Sequence, residues 1–453
     1  MNPAAIRPLR GASHRIAGIP HFRRRGSVSD VVGTIIEGNA PGAVLGSLCA
    51  VGADGGRESL LGEVVGFRGR SVLVMPYGEL SGVYHGSSLE VLGTAFRIPV
   101  GSELLGRVVD GLGRPIDDGD PVEPEASISV YTENVSPMKR ARIAEPLELG
   151  VQAMDGLLTC GQGQRLGIFS GAGVGKSTLM GMVAREVSAD VNVIALIGER
   201  GREVREFIER DLGPAGMERS VVVAVTSDQS PVLRVKGAFV AMAFAEHFRA
   251  QGLHVVFMMD SLTRFAMAQR EIGLAVGEPP TARGYTPSVF GLMPRLLESC
   301  GAMENGGSIT GLFTVLVEGD DMRDPIADSA RAILDGHVVL SRRLASRGHY
   351  PAIDVMASVS RVMRDVSEPD HIANAAMVRR LMAVYAEAEE MIQIGAYRTG
   401  SNPAVDHAIE VMPAVEAFLT QAMDRNPTFD ETLRALAELA SGIDLQQLGG
   451  AAR

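Results

Sequence analysis

Eight residues, GAGVGKST at positions 171–178, place three glycines, a lysine and two hydroxyl side chains directly after the apolar run LGIF (166–169). Glycine destabilises the interiors of strands and helices, so this cluster indicates a loop that a ligand approaches closely. Backbone N–H groups of such a loop can surround a phosphate, the lysine can reach the outer phosphates, and a hydroxyl can ligate Mg²⁺. Ser170 replaces the first glycine of the usual pattern, but the remaining glycines supply the freedom that the loop needs. The stretch predicts a nucleotide-binding P-loop made of Gly171, Ala172, Gly173, Val174, Gly175, Lys176, Ser177 and Thr178.

Two acidic residues end apolar runs further along the chain, and each has a predicted role beside the P-loop. Asp260 ends the run HVVFMMD (254–260), and a carboxylate at the carboxyl edge of a strand would face the same loop. It is predicted to hold Mg²⁺ together with Ser177. Glu199 follows the apolar run 191–198 and is predicted to orient the attacking water. Charged residues follow Glu199 in the sequence. For Arg202, Arg205 and Glu206 we favour an ordinary place at the charged start of a helix over a role in hydrolysis.

The elements that must position these residues follow from the spacing of apolar and turn residues. Short β-branched runs separated by glycines between positions 26 and 93 predict a small β-barrel, and the Gly-, Pro- and Asp-rich stretch 106–120 predicts a connecting loop. Apolar strands alternate with helices between about 145 and 365, which predicts a mostly parallel sheet covered on both faces. Helical patterns follow, including a capping box of Thr428 and Glu431.

The predicted organisation is therefore an α/β protein with four parts. We expect a basic, flexible tail at 1–25, a β-barrel domain at 26–95, a P-loop nucleotide-binding domain with a mostly parallel sheet at 96–368 and a C-terminal helical domain at 369–453.

Composition excludes several classes of protein. The chain has 453 residues, a net charge of −11 and 46% apolar residues, which is typical of a globular protein. Its apolar runs are too short to span a bilayer, and arginines interrupt the N-terminal stretch where a secretory signal would need an apolar core. Three scattered cysteines indicate a reducing cytoplasm rather than a disulfide framework. An acidic chain without tryptophan is a poor nucleic-acid binder. Residues 1–25 contain six arginines and no acidic residue, so this segment could contact an acidic partner or anionic lipids.

Longer stretches of the sequence resemble one family in order along the chain. The segments DGLLTCGQGQRLGIFSGAGVGKST, IALIGERGREVREF, MDSLTRFAMAQREI, GEPPTARGYTPSVFGLMPRLLE and VEGDDMRDPIADSARAILDGHVVLSRRLASRGHYPAIDVMASVSRVM are similar to the ATPases of bacterial type III protein export, relatives of the rotary ATP synthase catalytic subunit. The similarity extends over residues 26–440 and is greatest to the flagellar branch. It implies an N-terminal β-barrel, a RecA-like core and a C-terminal helical domain, as the patterns also predict.

The resemblance also implies roles that spacing does not reveal. Glu199 would polarise the attacking water, Lys176 and Ser177 would hold the triphosphate and Mg²⁺, and Arg200 would lie near the γ-phosphate. Tyr350 would lie against the adenine ring, Phe418 would close the adenine pocket, and Arg361 would reach the neighbouring subunit's site as an arginine finger. The segment 283–298 resembles the loop that faces the central pore of such rings, and Gly284 and Pro287 suit a shaped loop.

Partners and location follow from the same resemblance. It implies a Mg²⁺-dependent ATP hydrolase that forms a homo-hexamer and binds a central stalk-like export subunit and export chaperone–substrate complexes. The N-terminal tail corresponds to the place where the family binds a regulatory, stator-like subunit. The protein would be cytoplasmic and peripherally associated with the membrane export gate, with no nucleic-acid partner.

Alternatives remain open at this point. The stretch DPIADSARAILDGH favours the flagellar apparatus, whereas TVLVEGDDM favours the injectisome of virulence secretion. An RNA-translocating hexamer would need a basic barrel with stacking aromatic residues, and residues 26–95 offer only Phe67, Tyr77 and Tyr84. A proton-driven synthase subunit would need an acidic C-terminal loop that the chain lacks. A non-catalytic subunit is disfavoured by the combination of Lys176 and the two predicted site acids.

Overall fold

The computed structural model describes residues 25–448 except 53–58, 94–95, 121, 132–134, 305, 318, 320 and 445–446. The predicted basic tail lies outside the described residues except for Arg25. The described residues divide into two compact units, one containing those up to Phe96 together with Ala275–Gly277 and the other containing those of Arg97–Leu274 and those from Glu278 onward.

Six antiparallel strands of the first unit close into a barrel in the order β1-β2-β5-β4-β3-β6. Their bounds are Arg25–Val32 (β1), Ile35–Asn39 (β2), Leu48–Val51 (β3), Leu60–Arg68 (β4), Ser71–Pro76 (β5) and Ser88–Gly93 (β6). Alternate residues point inward, so that Val28, Ile36 and Cys49 are buried in the barrel core. Gly26 lets two strands approach closely, because a Cβ there would lie 1.5 Å from the carbonyl oxygen of Asn39. The predicted β-barrel is confirmed.

The second unit is organised around a central sheet that, in the described part of the chain, has nine strands in the order β19-β18-β12-β17-β15-β13-β14-β8, with β16 paired beside β17. Only the β18–β19 and β16–β17 pairs among them are antiparallel. The strands of this unit are Arg97–Val100 (β7), Val108–Val109 (β8), Ala126–Ser129 (β9), Pro146–Leu147 (β10), Cys160–Gly161 (β11), Arg165–Ser170 (β12), Val191–Ile197 (β13), Ser220–Val225 (β14), His254–Asp260 (β15), Gly301–Ala302 (β16), Ser308–Leu316 (β17), Gly336–Leu340 (β18) and Ile353–Ser360 (β19). All seven residues of β13 are buried, as a strand covered on both faces requires. The predicted mostly parallel sheet is confirmed.

Helices cover the sheet and continue beyond it. Their bounds are Gln152–Leu157 (α1), Lys176–Glu186 (α2), Gly201–Glu206 (α3), Gly213–Glu218 (α4), Pro231–Ala250 (α5), Leu262–Val276 (α6), Pro287–Leu297 (α7), Pro325–Ile333 (α8), Arg342–Ser346 (α9), Met363–Val366 (α10), Pro369–Gln393 (α11), Pro403–Leu419 (α12) and Phe429–Ser441 (α13), with short 3₁₀ turns at Ser102–Leu104, Pro137–Lys139 and Ala282–Gly284. None of the helices in the described residues is both long and apolar enough to cross a membrane.

The C-terminal helices share one apolar core with the sheet. Leu166 and Ile168 of β12 belong to the same buried cluster as Val378 of α11, Val415 of α12 and Leu436 of α13. The helical C-terminal part is confirmed. The predicted capping box is also present, since the Thr428 hydroxyl accepts the Glu431 N–H at 3.3 Å and the Glu431 carboxylate accepts the Thr428 N–H at 2.9 Å.

Three segments differ from their predicted structure. Residues 106–120 contain β8, a two-residue strand that pairs with β14 at the sheet edge and is too short to leave a sequence pattern. The charged helix after Glu199 changes to a π-helical turn at Phe207–Leu212. In the segment 283–298, the predicted loop was wrong for 287–297, because Pro287 begins α7. Proline is favoured in the first turn of a helix, where its missing N–H costs no hydrogen bond.

Candidate active site

The glycine-rich loop joins the carboxyl end of β12 to the first residue of α2, Lys176. Gly173 has a φ of 74° and Gly175 a φ of 92°, in the left-handed region that favours glycine. A Cβ on Gly173 would meet no atom within 4 Å, so backbone conformation rather than crowding calls for glycine there. Gly175 is the N-cap of α2 and supplies no side-chain cap. The N–H groups at this helix start therefore suit an anionic ligand.

Lys176 joins two strand-end carboxylates in one cluster. Its ammonium Nζ lies 2.5 Å from Oδ1 of Asp260, the last residue of β15, and 3.9 Å from Oε1 of Glu199, two residues beyond β13. β13 and β15 are adjacent and parallel, with Leu196 opposite Asp260, so the two acids emerge at the same edge of the sheet. The structure thus brings together the lysine and the two acids that the sequence singled out.

The environment of Glu199 favours its protonated form. Burial raises the pKa of its carboxyl and the nearby Asp260 raises it further, while Lys176 acts in the opposite direction, so that the pKa lies at about 7. Oε1 of Glu199 is buried and has no hydrogen-bond partner among the described residues. A carboxyl poised near neutral pH, with an oxygen available, can accept a proton from water or orient it.

Thr314 contacts Asp260 and Arg264 packs against Gly198, the residue before Glu199, and sequence reasoning missed both contacts. Thr314 is buried in β17, and its hydroxyl donates to Oδ1 of Asp260 at 2.8 Å. Arg264, in α6, packs against Gly198, where a Cβ would lie 2.8 Å from the Cβ of Arg264. The available signals were a polar residue inside the apolar run LFTVLV (312–317) and a basic residue four positions after Asp260.

The donor set fits a magnesium ion that binds together with a nucleotide. The Ser177 hydroxyl follows Lys176 in the first turn of α2, and Asp260 supplies a carboxylate, so both predicted ligands offer oxygen. No cluster of three or more histidine, cysteine or acidic side chains in the described part of the chain could hold a metal by itself. Magnesium commonly binds one or two protein oxygens and completes its shell with substrate phosphates and water.

The two predicted arginines make other contacts in the single chain. Arg200 is exposed, and its guanidinium lies 3.6 Å from the carboxylate of Glu203. The exposed side chain of Arg361 donates to the carbonyl oxygens of Leu334 and Arg331, at the end of α8. The structure therefore does not bring either guanidinium into the Lys176 cluster, and their roles stay predictions.

The two predicted adenine contacts are placed differently. The ring of Tyr350 lies over the glycine loop, 3.6 Å from the position of a Cβ on Gly175, and its side chain is exposed. The ring of Phe418 is buried and packs against α1, 2.9 Å from the position of a Cβ on Gly156. The observed contacts give Phe418 a packing function, and its part in an adenine pocket stays a prediction that they do not support.

Comparison with known families matches the chain in three consecutive pieces. Residues 28–93 match the beta-barrel domain of the ATP synthase alpha/beta family, and residues 150–360 match the nucleotide-binding domain of the same family. Residues 367–438 match the T3SS EscN ATPase C-terminal domain. The glycine loop, both acids and Tyr350 all lie in the matched nucleotide-binding domain.

Curated relatives and solved structures match over nearly the whole chain. The flagellum-specific ATP synthase of Bacillus subtilis (strain 168) is 50% identical, over 92% of this chain and 95% of that protein. The type 3 secretion system ATPase of Xanthomonas euvesicatoria is 50% identical, over 92% and 94%. The structure of the assembled ATPase EscN from the enteropathogenic E. coli type III secretion system aligns with a TM-score of 0.87 and 43% identity, over 92% of this chain and all of that one. The chain therefore belongs to the family of flagellum-specific and type III secretion ATPases, within the wider ATP synthase alpha/beta family.

Proposed function

We propose that this protein hydrolyses Mg²⁺-ATP in the flagellar type III export apparatus, where a ring of its copies releases subunits from chaperones and energises their export. The observation that carries the hydrolytic part of the proposal is the cluster of Lys176, Asp260 and Glu199 at the mouth of the glycine loop, and the flagellar part rests on the flagellum-specific relatives. This cluster combines a phosphate-binding cation, a metal-binding carboxylate and a carboxyl whose pKa suits it to handle water.

Nucleotide binding rearranges the charges of this cluster in the proposed mechanism. The loop N–H groups and the first turn of α2 bind the phosphates, and Lys176 turns from Asp260 to the β- and γ-phosphates. Ser177 and Asp260 would hold Mg²⁺, which when bound neutralises phosphate charge. Thr314 keeps the Asp260 carboxylate oriented through its 2.8 Å hydrogen bond.

Hydrolysis then requires one group that orients the attacking water and others that stabilise the charge developing on the γ-phosphate. Glu199 orients the attacking water and accepts its proton, for which a pKa at about 7 is well matched. Arg200 would swing from Glu203 toward the γ-phosphate, a movement that its exposed position permits. Arg361 would act on the site of the neighbouring subunit and thereby make turnover depend on assembly.

Assembly and location form part of the same proposal. One solved relative is described as an assembled ATPase and another structure as that ATPase in complex with its central stalk, which supports a homo-hexamer with a stalk-like partner for this chain. We further propose that the N-terminal tail binds a stator-like subunit and that the segment 283–298 faces the central pore. The protein would then work in the cytoplasm, at the inner face of the membrane export gate.

The second candidate is the injectisome ATPase, since the Xanthomonas euvesicatoria relative and the C-terminal family match carry type III secretion names. The deciding experiment replaces the chromosomal gene with Lys176→Ala in the source cell and counts filaments. Lys139→Ala, at an exposed lysine outside the site, is the matched control.

Loss of filaments and swimming in Lys176→Ala alone, with protein levels equal to the parent, supports the flagellar function. Normal filaments together with lost secretion of virulence proteins would support the injectisome instead. A purified Lys176→Ala protein that hydrolyses ATP at the parental rate would contradict both, because the phosphate contact would then be dispensable.

A further inference from the structure

A short segment between β18 and β19 carries Tyr350 to the glycine loop. It contains α9 (Arg342–Ser346) and ends where β19 begins at Ile353. Tyr350 is 44% exposed, so burial does little to fix its ring over Gly175. Groups outside the segment must therefore set its position.

Gln421, in the connection between α12 and α13, is the first of these groups. Its backbone N–H donates to the carbonyl oxygen of Tyr350 at 2.9 Å. Its side chain is buried, with Oε1 accepting the N–H of Gln152 at 2.8 Å and Nε2 donating to the carbonyl oxygens of Gly150 at 2.8 Å and Arg425 at 2.6 Å. The carboxamide thus uses one acceptor and both donors to fix its own backbone, and that backbone holds Tyr350.

Glu389, on α11, anchors the other end of the segment. Its carboxylate lies 2.7 Å from the guanidinium of Arg343 and 3.1 Å from that of Arg347. Gln393, one turn further along α11, donates to the same carboxylate at 2.8 Å. The two arginines lower the pKa of Glu389 against the opposing effect of burial, so the carboxylate stays charged at neutral pH.

We infer that Gln421 and Glu389 are positioning residues that hold Tyr350 over the glycine loop for the base of the bound nucleotide. The inference rests on the proposed contact between Tyr350 and adenine. Glu389 lies on α11 and Gln421 in the connection between α12 and α13, whereas the phosphates would be bound by the loop after β12. Base binding would then depend on the placement of these helices, and phosphate binding would not.

The test compares ATP with tripolyphosphate, which occupies the phosphate site but has no base. Purified full-length Gln421→Met, Glu389→Lys and Tyr350→Ala are assayed for the KM and kcat of ATP hydrolysis and for the Ki of tripolyphosphate as a competitive inhibitor. Glu389→Lys places a cation against two arginines. The matched controls are Asn192→Leu, which removes another buried carboxamide, and Glu387→Lys, on the exposed face of α11.

We expect each positioning variant to raise the KM for ATP about fivefold, at the low end of what loss of an aromatic stack on a base costs. The kcat should stay within about twofold of the parent, and the Ki of tripolyphosphate should not change. Asn192→Leu and Glu387→Lys should alter none of the three constants. Glu389 is partly buried rather than in the core, with 15% of its side chain exposed, so Glu389→Lys provides a second variant if Gln421→Met does not fold.

The remaining outcomes overturn the inference in distinguishable ways. A raised KM in Tyr350→Ala with unchanged KM in both positioning variants would leave the adenine contact standing and remove the positioning function. A KM and a Ki that rise together would show that the effect passes through the phosphate loop. An unchanged KM in Tyr350→Ala would refute the adenine contact itself, and the inference with it.

Discussion

Replacing Glu199 with glutamine should stabilise the nucleotide-free protein at alkaline pH while it removes ATP hydrolysis. Burial and the nearby Asp260 raise the pKa of the Glu199 carboxyl from 4.5 to about 7. The folded protein therefore binds a proton that the unfolded chain releases, and its free energy of unfolding falls as the pH rises between these two values. Glutamine has nearly the same shape and no charge, so the free energy of unfolding of Glu199→Gln should not fall with pH in this way.

The magnitude follows from the size of the pKa shift. A rise of the Glu199 pKa from 4.5 to about 7 means that above pH 8 the free energy of unfolding of Glu199→Gln should exceed that of the parent by about 3 kcal/mol. At pH 5.5 the unfolded chain is largely ionised and the folded protein is not, so the advantage should be only about 1 kcal/mol. These values are upper limits, because the 14% exposure of the Glu199 side chain admits some solvent screening.

Urea denaturation without nucleotide, at pH 5.5 and 8.5, measures this difference. Glu206→Gln, at an exposed carboxylate of α3, is the control and should change stability little at either pH. Hydrolysis by Glu199→Gln should fall by about 10²-fold or more if the carboxyl handles water. A free energy of unfolding that rises equally at both pH values would refute the electrostatic reasoning, and full activity would refute the assignment of Glu199.

Three further predictions concern other parts of the site. Thr314→Val should remove the hydrogen bond to Asp260, cost about 1 kcal/mol of stability and raise the magnesium concentration needed for half-maximal hydrolysis, both measured on the purified protein. Gly173→Ala should weaken binding of a fluorescent ATP analogue and lower stability by about 1 kcal/mol, because its φ of 74° lies in the left-handed region. Turnover per chain should rise with protein concentration in the parent but stay low and flat in Arg361→Ala, since the proposed finger acts between subunits; parental behaviour of the variant would remove it.

The parts of the fold and site predicted from sequence share one property, which is that short contiguous stretches encode them. The glycine loop, its lysine and the following helix occupy the consecutive positions 171–186, and the parallel strands appear as unbroken apolar runs. Once Asp260 and Glu199 are placed at the ends of such strands, the geometry of a parallel sheet forces them to the same edge. It is the strand order of the sheet, rather than the sequence around either acid, that brings them to within 2.5 and 3.9 Å of Lys176.

The missed features depend on contacts between residues far apart in the chain. Thr314 meets Asp260 because β17 lies beside β15, a strand order that hydrophobic patterns do not specify. Gln421 reaches Gly150 and Gln152 across about 270 positions, and nothing in its own neighbourhood marks it. The helix at Pro287 was missed for a different reason, since proline favours both turns and the first turn of a helix.

The charges in the nucleotide-free site bear on how substrate binding would be linked to catalysis in the proposed mechanism. Two carboxyl groups share one lysine, and the one without a hydrogen bond to its Oε1, Glu199, is held partly protonated near neutral pH. In the proposed mechanism Lys176 would bind the phosphates and Asp260 would hold the metal, so the 2.5 Å hydrogen bond that now joins them would be broken. The charges of the incoming nucleotide and metal would then replace those of Lys176 and Asp260 in setting the pKa of Glu199. Free enzyme and bound enzyme should accordingly differ in the pKa that governs Glu199, and the pH profiles of kcat/KM and of kcat should separate by that difference.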